Sequence, residues 1–245
     1  MIQKLDLVAS IEKYYLGGII ESVKWNISEG KLHTNFVSPY QDLVGHIECN
    51  LDIEDGTIGI FNTSALLKML SILEHDILVN VEKTHKVSTR LLIEDSNFSL
   101  QYTLADPHII PPSPSIDEPE YDTEFDIDAE FILRFTKAKN ALGSNTKDIV
   151  RITNFVHEDG VKQAKFILGD PTSHSNKVEF TCDATYEVFH KELLTFNSSH
   201  IKEILSVNKE NIQSAKGYIS MQGLLKLEFI TEVGKAVYYL PELKF

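Results

Sequence analysis

"FNTSALLKML", residues 61–70, has a near-copy in "FNSSHIKEIL", residues 196–205. Each begins with Phe-Asn and two hydroxyl residues. Each continues with apolar residues at helical spacing: Leu66, Leu70 and Leu73 in the first, and Ile201, Ile204 and Leu205 in the second. Asn, Ser and Thr at such a junction can accept hydrogen bonds from the unpaired amides of a helix's first turn. The reading is a capped amphipathic helix written twice. The offset is 135 residues in a chain of 245, and at the same offset "LADP" (104–107) falls on "YLPE" (239–242).

The surroundings of the two helices also repeat. Residues 6–15 read as a helix, with Val8, Ile11 and Tyr15 on one face and Lys13 opposite. Phe131, Phe135, Ala138 and Leu142, spaced 4, 3 and 4, read as its counterpart. Strand-like runs follow both. Ser28-Glu29-Gly30, Glu54-Asp55-Gly56 and His157-Glu158-Asp159-Gly160 read as hairpin turns, because glycine takes the positive φ of tight turns. "EVFHKELLTF" (187–196) reads as a strand before the second capped helix, and each capped helix is followed by three more strand runs. Both halves therefore run helix, strands, capped helix, three strands, the pattern of a duplicated domain.

Between them lies "DPHIIPPSPSIDEPEYDTEFDIDAE", residues 106–130, with five prolines, nine acids and no Lys or Arg. Proline lacks an amide donor and blocks helix, so this stretch reads as an extended connector. The expected division is 1–107, a connector over 108–127, and 128–245. "EFDID" could suggest a hard-metal site, but a solvated acidic link is the stronger reading. No apolar run approaches the roughly 18 residues of a membrane span. The N-terminal residues are unlike a signal peptide. Cys49 and Cys182 sit in separate strand runs and read as free thiols in a cytoplasmic setting.

The chain lacks a nucleophile elbow, a phosphate loop, a dinucleotide fingerprint and C-x-x-C. Its nine histidines show no H-x-H or H-E-x-x-H spacing, and His46 and Cys49 fall on opposite strand faces. No enzyme, metal or cofactor is expected. The formal charge is −13, which by itself disfavours nucleic acid. Yet Lys13, Lys68, Lys137 and Lys202 each lie off the apolar face of a helix, with Arg134 and Lys139 beside them. An acidic protein can still present one basic face to phosphate. Ile109, Ile110 and Pro111 in the connector, Leu240 and Pro241 near the C-terminus, and Leu43 and Val44 between strands suggest an apolar pocket for a partner's peptide.

With these residues in view, the chain resembles the DNA polymerase sliding clamps of two-domain type, those of T-even-like phages and the proliferating-cell nuclear antigen family. The resemblance covers essentially the full length. It rests on Asn62–Leu70 as the second helix of a first clamp domain, on "FSLQYTLADPHIIPP" (98–112) as its last strand and connector, and on "AVYYLPELKF" (236–245) as a clamp C-terminus.

The resemblance implies an α+β fold of duplicated clamp domains, each with two helices on antiparallel sheets, assembled as a homotrimeric ring. It implies a non-enzymatic processivity factor that encircles duplex DNA and tethers polymerase and other replication proteins, with a clamp loader as a further partner. A viral origin, with a place in the host cytoplasm, fits the phage members. Carried over by position, the DNA-facing residues would be Lys13, Lys68, Arg134, Lys137, Lys139 and Lys202. The peptide pocket would be Leu43, Val44, Ile109, Ile110, Pro111, Leu240 and Pro241. The alternative is a tandem β-rich interaction or viral assembly module that never meets DNA.

Overall fold

In a computed structural model the structure describes residues 1–85, 87–142, 147–169, 176–187, 189 and 192–244. Contacts divide the chain into two units, Met1–Pro114 with Glu232–Ala236, and Ser115–Thr231 with Val237–Phe245.

The first unit contains β1 (Ile2–Gln3), α1 (Lys4–Tyr15), β2 (Val23–Ser28), β3 (Lys31–Val37), β4 (Val44–Asn50), β5 (Gly56–Ile60), α2 (Thr63–Leu70), β6 (Asp76–Thr84), β7 (Val87–Glu94) and β8 (Ser99–Thr103). The second begins with β9 (Thr123–Asp126), α3 (Ala129–Ala141), β10 (Ile149–Val156), β11 (Lys162–Leu168) and β12 (Val178–Tyr186). It continues with β13 (Leu194–Asn197), α4 (Ser198–Asn208), β14 (Ile212–Ser220), β15 (Leu224–Thr231) and β16 (Gly234–Pro241). The order is the same in both: strand, helix, four strands, helix, three strands.

Strand pairing repeats as well. The first unit has the antiparallel orders β5-β2-β3-β4 and β1-β6-β7-β8. The second has β13-β10-β11-β12 and β9-β14-β15-β16, and there β12 also pairs with β9 through Ala184↔Phe125 and its neighbours. Helix α1 packs on α2 and on β4, while α3 packs on α4 and on β12.

The capped helix starts form as their sequences predict. Asn62 Oδ1 accepts from Ala65 N at 2.9 Å, and Asn197 Oδ1 accepts from Ser199 N at 3.0 Å and His200 N at 3.2 Å. Leu66, Leu70, Leu73, Ile201, Ile204 and Leu205 are all buried. Asp128 caps α3 in the same way, accepting from Phe131 N at 2.7 Å.

The two cores are filled differently. In the first, Tyr14 on α1 meets Trp25 on β2 edge-on at 6.5 Å, and Trp25 Nε1 donates to its hydroxyl at 3.3 Å. Thr63, at the start of α2, donates to Glu21 O at 2.9 Å. In the second, Phe125, Phe131, Phe135, Phe166 and Phe180 form one aromatic cluster, with centroid separations down to 5.1 Å.

Three sequence expectations change. The buried stripe of α1 is Leu7, Ser10, Ile11 and Tyr14, one residue off the Val8–Ile11–Tyr15 reading, and Lys13 is buried with it. Glu54-Asp55-Gly56 is not a hairpin turn between neighbours, because β5 crosses over to pair with β2 rather than β4. Residues 123–126, expected as connector, are strand β9, paired on both sides, because Phe125 and Ile127 alternate into the core. Of the strand expected over 187–196, residues 188, 190 and 191 lie outside the described residues and strand begins at Leu194.

Each unit also pairs a glycine with a phenylalanine directly across two strands, Gly45 with Phe36 and Gly217 with Phe125. The ring lies over the glycine, and a Cβ at Gly217 would stand 2.1 Å from Phe125 Cζ. No real Cβ tolerates that distance, so Gly217→Ala must displace a ring packed against Phe131 and Phe166. The expected loss is about 1–3 kcal/mol, as for other overpacked cores, read as a lower midpoint in thermal or urea denaturation.

Candidate nucleic-acid and partner-binding surfaces

The charge is distributed unevenly between helices and the rest of the chain. The four helices carry seven Lys/Arg and four Asp/Glu, while the remaining residues carry 16 and 32. A chain at −13 thus has a net positive set of helices. Each helix buries one stripe on its unit and leaves the other side for charged groups.

The six basic residues singled out above have different fates. Lys68 on α2 and Lys137 on α3 are exposed, and neither has a polar partner among the described residues. Lys202 on α4 is half-buried and also lacks one among the described residues. Arg134 forms an ion pair with Glu130 one turn earlier and donates to Thr181 O at 3.0 Å, so it leans back over β12. Lys139 is paired with Asp148, and its ammonium holds that carboxyl below the ordinary value.

Lys13 corrects the sequence reading. It is 3% exposed, and burial pushes its pKa below the ordinary lysine value. A side chain so covered cannot reach a phosphate. Sequence reasoning passed over Lys4, whose Nζ donates to Leu73 O at 2.7 Å, and Lys209, exposed at the C-terminal cap of α4. A lysine just beyond the last periodic residue is the signal that marks Lys209.

The first unit also carries an apolar groove of about 400 Å³, walled by Ile19, Val23, Phe36, Val37, Pro39, Ile110 and Pro111. The chain after β8 is tied down there in two places. Ala105 N donates to Gly59 O at 2.9 Å, and Ser113 Oγ donates to Phe36 O at 3.1 Å. Gly59 is needed at the first tie, since a Cβ there would lie 2.5 Å from Ala105 O. Between the ties, Ile110 is 4% exposed and Ile109 is 64% exposed.

Of the expected pocket residues, Ile110 and Pro111 line this groove. Ile109 points to solvent. Leu43 and Val44 are buried. Ser38 holds Leu43 in a tight turn, with Ser38 N donating to Leu43 O at 2.8 Å. In the second unit Leu240 is buried and Pro241 is exposed. The groove residues that sequence reading missed, Ile19, Val37 and Pro39, look like ordinary strand and turn residues in one dimension.

Near the start of the second unit, Glu118 is gripped by two groups. Lys226 Nζ lies 2.9 Å from its carboxylate and Tyr239 OH donates to it at 2.5 Å. The Lys226 ammonium also lies 5.5–5.9 Å from the ring centroids of Tyr121, Tyr218 and Tyr239. The cationic centre favours the electron-rich ring faces, so an acidic stretch of the sequence is fixed by a lysine set among tyrosines.

No family model and no curated protein matches the sequence. Solved structures do match over the whole chain. The proliferating cellular nuclear antigen of Entamoeba histolytica aligns with TM-score 0.75 at 18% identity, covering 99% of this chain and 96% of that one. The PCNA of A. fulgidus, solved with the C-terminal region of FEN-1 bound, aligns with TM-score 0.73 at 16% identity, covering 100% of this chain and 97% of that one. The chain has the α+β fold of these clamps.

The burial of Lys13 has a pH signature. Its folded pKa lies below the unfolded value of 10.5. Between those two values the unfolded state holds more protons, so this group adds stability as pH rises. Lys13→Met should remove that increment, measured as denaturation midpoints of both proteins as the pH is raised toward 10.5.

Proposed function

We propose that this protein is a sliding clamp for DNA replication, non-enzymatic, whose copies join head to tail into a closed ring around duplex DNA. The proline-rich residues ahead of β9 would link its two clamp domains. The observation that carries this reading is the charge partition: a doubled clamp fold whose helices are net positive within a strongly acidic chain. Basic groups spread over helices in no fixed register attract phosphate weakly and uniformly. Such contacts let a ring slide, and topology rather than affinity keeps it on the duplex. A head-to-tail contact that closes on itself is a standard symmetric assembly, and two domains per chain suit a trimer. In this reading Lys68 and Lys137 are the leading phosphate contacts, Lys202 is a weaker one, and Arg134 and Lys139 contribute after rearranging their ion pairs.

The apolar groove beside Ile110 and Pro111 is the proposed seat for short peptides of a polymerase, a clamp loader and other replication proteins. The likeness to a clamp solved with a FEN-1 segment supports a peptide-binding role. Apolar walls with a few backbone donors and acceptors favour an extended or helical peptide carrying apolar anchors.

Light scattering on the full chain tests the ring. A particle of three times the chain's 27.7 kDa is expected at high concentration, and a strict monomer there would sink the proposal. Lys68→Glu combined with Lys137→Glu should cut processive synthesis by tenfold or more without lowering the melting temperature, since both side chains are exposed. Unchanged processivity would remove these helices from the DNA. Separately, Val37→Glu should weaken a labelled C-terminal peptide of the cognate polymerase at least tenfold while leaving retention on circular DNA intact.

A further inference from the structure

The outer face of β3 and β4 carries three side chains, His33, His46 and Glu48, that do not line the proposed peptide groove. Residues alternate across a strand, so Leu32, Thr34 and Phe36 point into the core while His33 and Asn35 point outward. On β4, Ile47 and Cys49 point in, and His46 and Glu48 point out. The register places His33 opposite Glu48 and Asn35 opposite His46. Two imidazoles and a carboxylate thereby converge on one sheet surface, with one ligand atom of each within 4.8 Å of the others. The two rings are nearly parallel at 25°, with centroids 6.4 Å apart.

We propose that His33, His46 and Glu48 form a binding site for a divalent transition-metal ion of zinc type. The neighbouring contacts prepare two of the three ligands. His46 Nδ1 lies 2.6 Å from Asn35 Oδ1. That oxygen can only accept, so Nδ1 carries the proton and Nε2 keeps the lone pair that a metal needs. Asn35 thus plays the part that outer partners of metal-bound histidines commonly play, fixing tautomer and ring orientation.

Glu48 is prepared in a similar way. Lys31 Nζ holds Oε1 at 2.6 Å, while Oε2 lies 3.9 Å from His33 Nδ1. One oxygen is neutralised and the other faces the histidines. Around a tetrahedral ion with bonds near 2.1 Å, ligand atoms lie roughly 3.4 Å apart. The three half-exposed side chains must therefore close by up to about 1.4 Å. Two imidazoles and one carboxylate leave a fourth position for water or a partner's side chain. This donor set suits zinc, cobalt, nickel or copper and not magnesium or calcium, which prefer all-oxygen cages. A bound ion would staple β3 to β4.

Titration calorimetry of the tag-free full chain with zinc chloride is the test. Saturable one-to-one binding is expected, and its absence overturns the site. His33→Ala with His46→Ala should abolish that binding, and Asn35→Ala should weaken it about tenfold or more. These side chains face outward, so circular dichroism should show unchanged folding. Binding that survives the double histidine variant overturns the assignment. Cobalt gives an independent readout on the unaltered protein. It should produce a visible ligand-field spectrum without a thiolate charge-transfer band, and a thiolate band would move the site to a cysteine and overturn it.

Discussion

Everything in this protein follows from helices that can be covered on one side only. In each unit two helices pack together and lie on strands. Leu66 and Leu70, like Ile201 and Leu205, go to the core because burying such a side chain stabilises by about 1.5–3 kcal/mol. Among the described residues, nothing covers Lys68 or Lys137 on the far side. The exposed face of a helix is free to take any polar residue, and here it takes positive ones in a chain that is otherwise acidic. The fold thus supplies the surface, and composition chooses its sign.

The same constraint separates useful charge from charge that merely looks useful. Lys13, Arg134 and Lys139 have the residue type and helical setting of a phosphate contact. Lys13 is buried, because α1 rotates its Leu7–Tyr14 face onto β2 and β4. Arg134 leans toward Glu130 and a carbonyl of β12, and Lys139 toward Asp148. The Arg134–Glu130 pair is exposed, so it is worth little in stability and a passing phosphate can compete for it, whereas the Lys139 side chain is largely covered beside Asp148. A lysine lodged in the core cannot be recruited that way.

The groove and the histidine surface arise from strand alternation acting in opposite directions. Phe36 goes inward to cover Gly45, while its neighbours Asn35 and Val37 turn outward. Ile110 reaches the groove because Gly59 lets the chain come within hydrogen-bonding distance of β5. Neither assembly is local in sequence. His33 and Glu48 are adjacent only because a hairpin turn at Glu29 and Gly30 starts the β2–β3–β4 meander.

What the sequence determined by itself was whatever is decided within a few residues or repeated at a fixed offset. Asn62 and Asn197 cap helices because their side-chain oxygens meet amides two and three residues on. The aromatic stripe of α3 shows because Phe131, Phe135 and Ala138 keep helical spacing. The duplicated order of elements shows because both copies kept their caps and strand runs. Tertiary structure decided the rest. The α1 stripe was read one residue off because Val8 and Leu7 are equally apolar, and only packing against Trp25 selects the face with Tyr14. The partner of β5 was misread because a turn signal says that the chain bends, and only the sheet says which strand receives it. Which lysines stay free, which residues line the groove and which histidines meet a carboxylate depend on distances between strands far apart in sequence, and no local pattern encodes those.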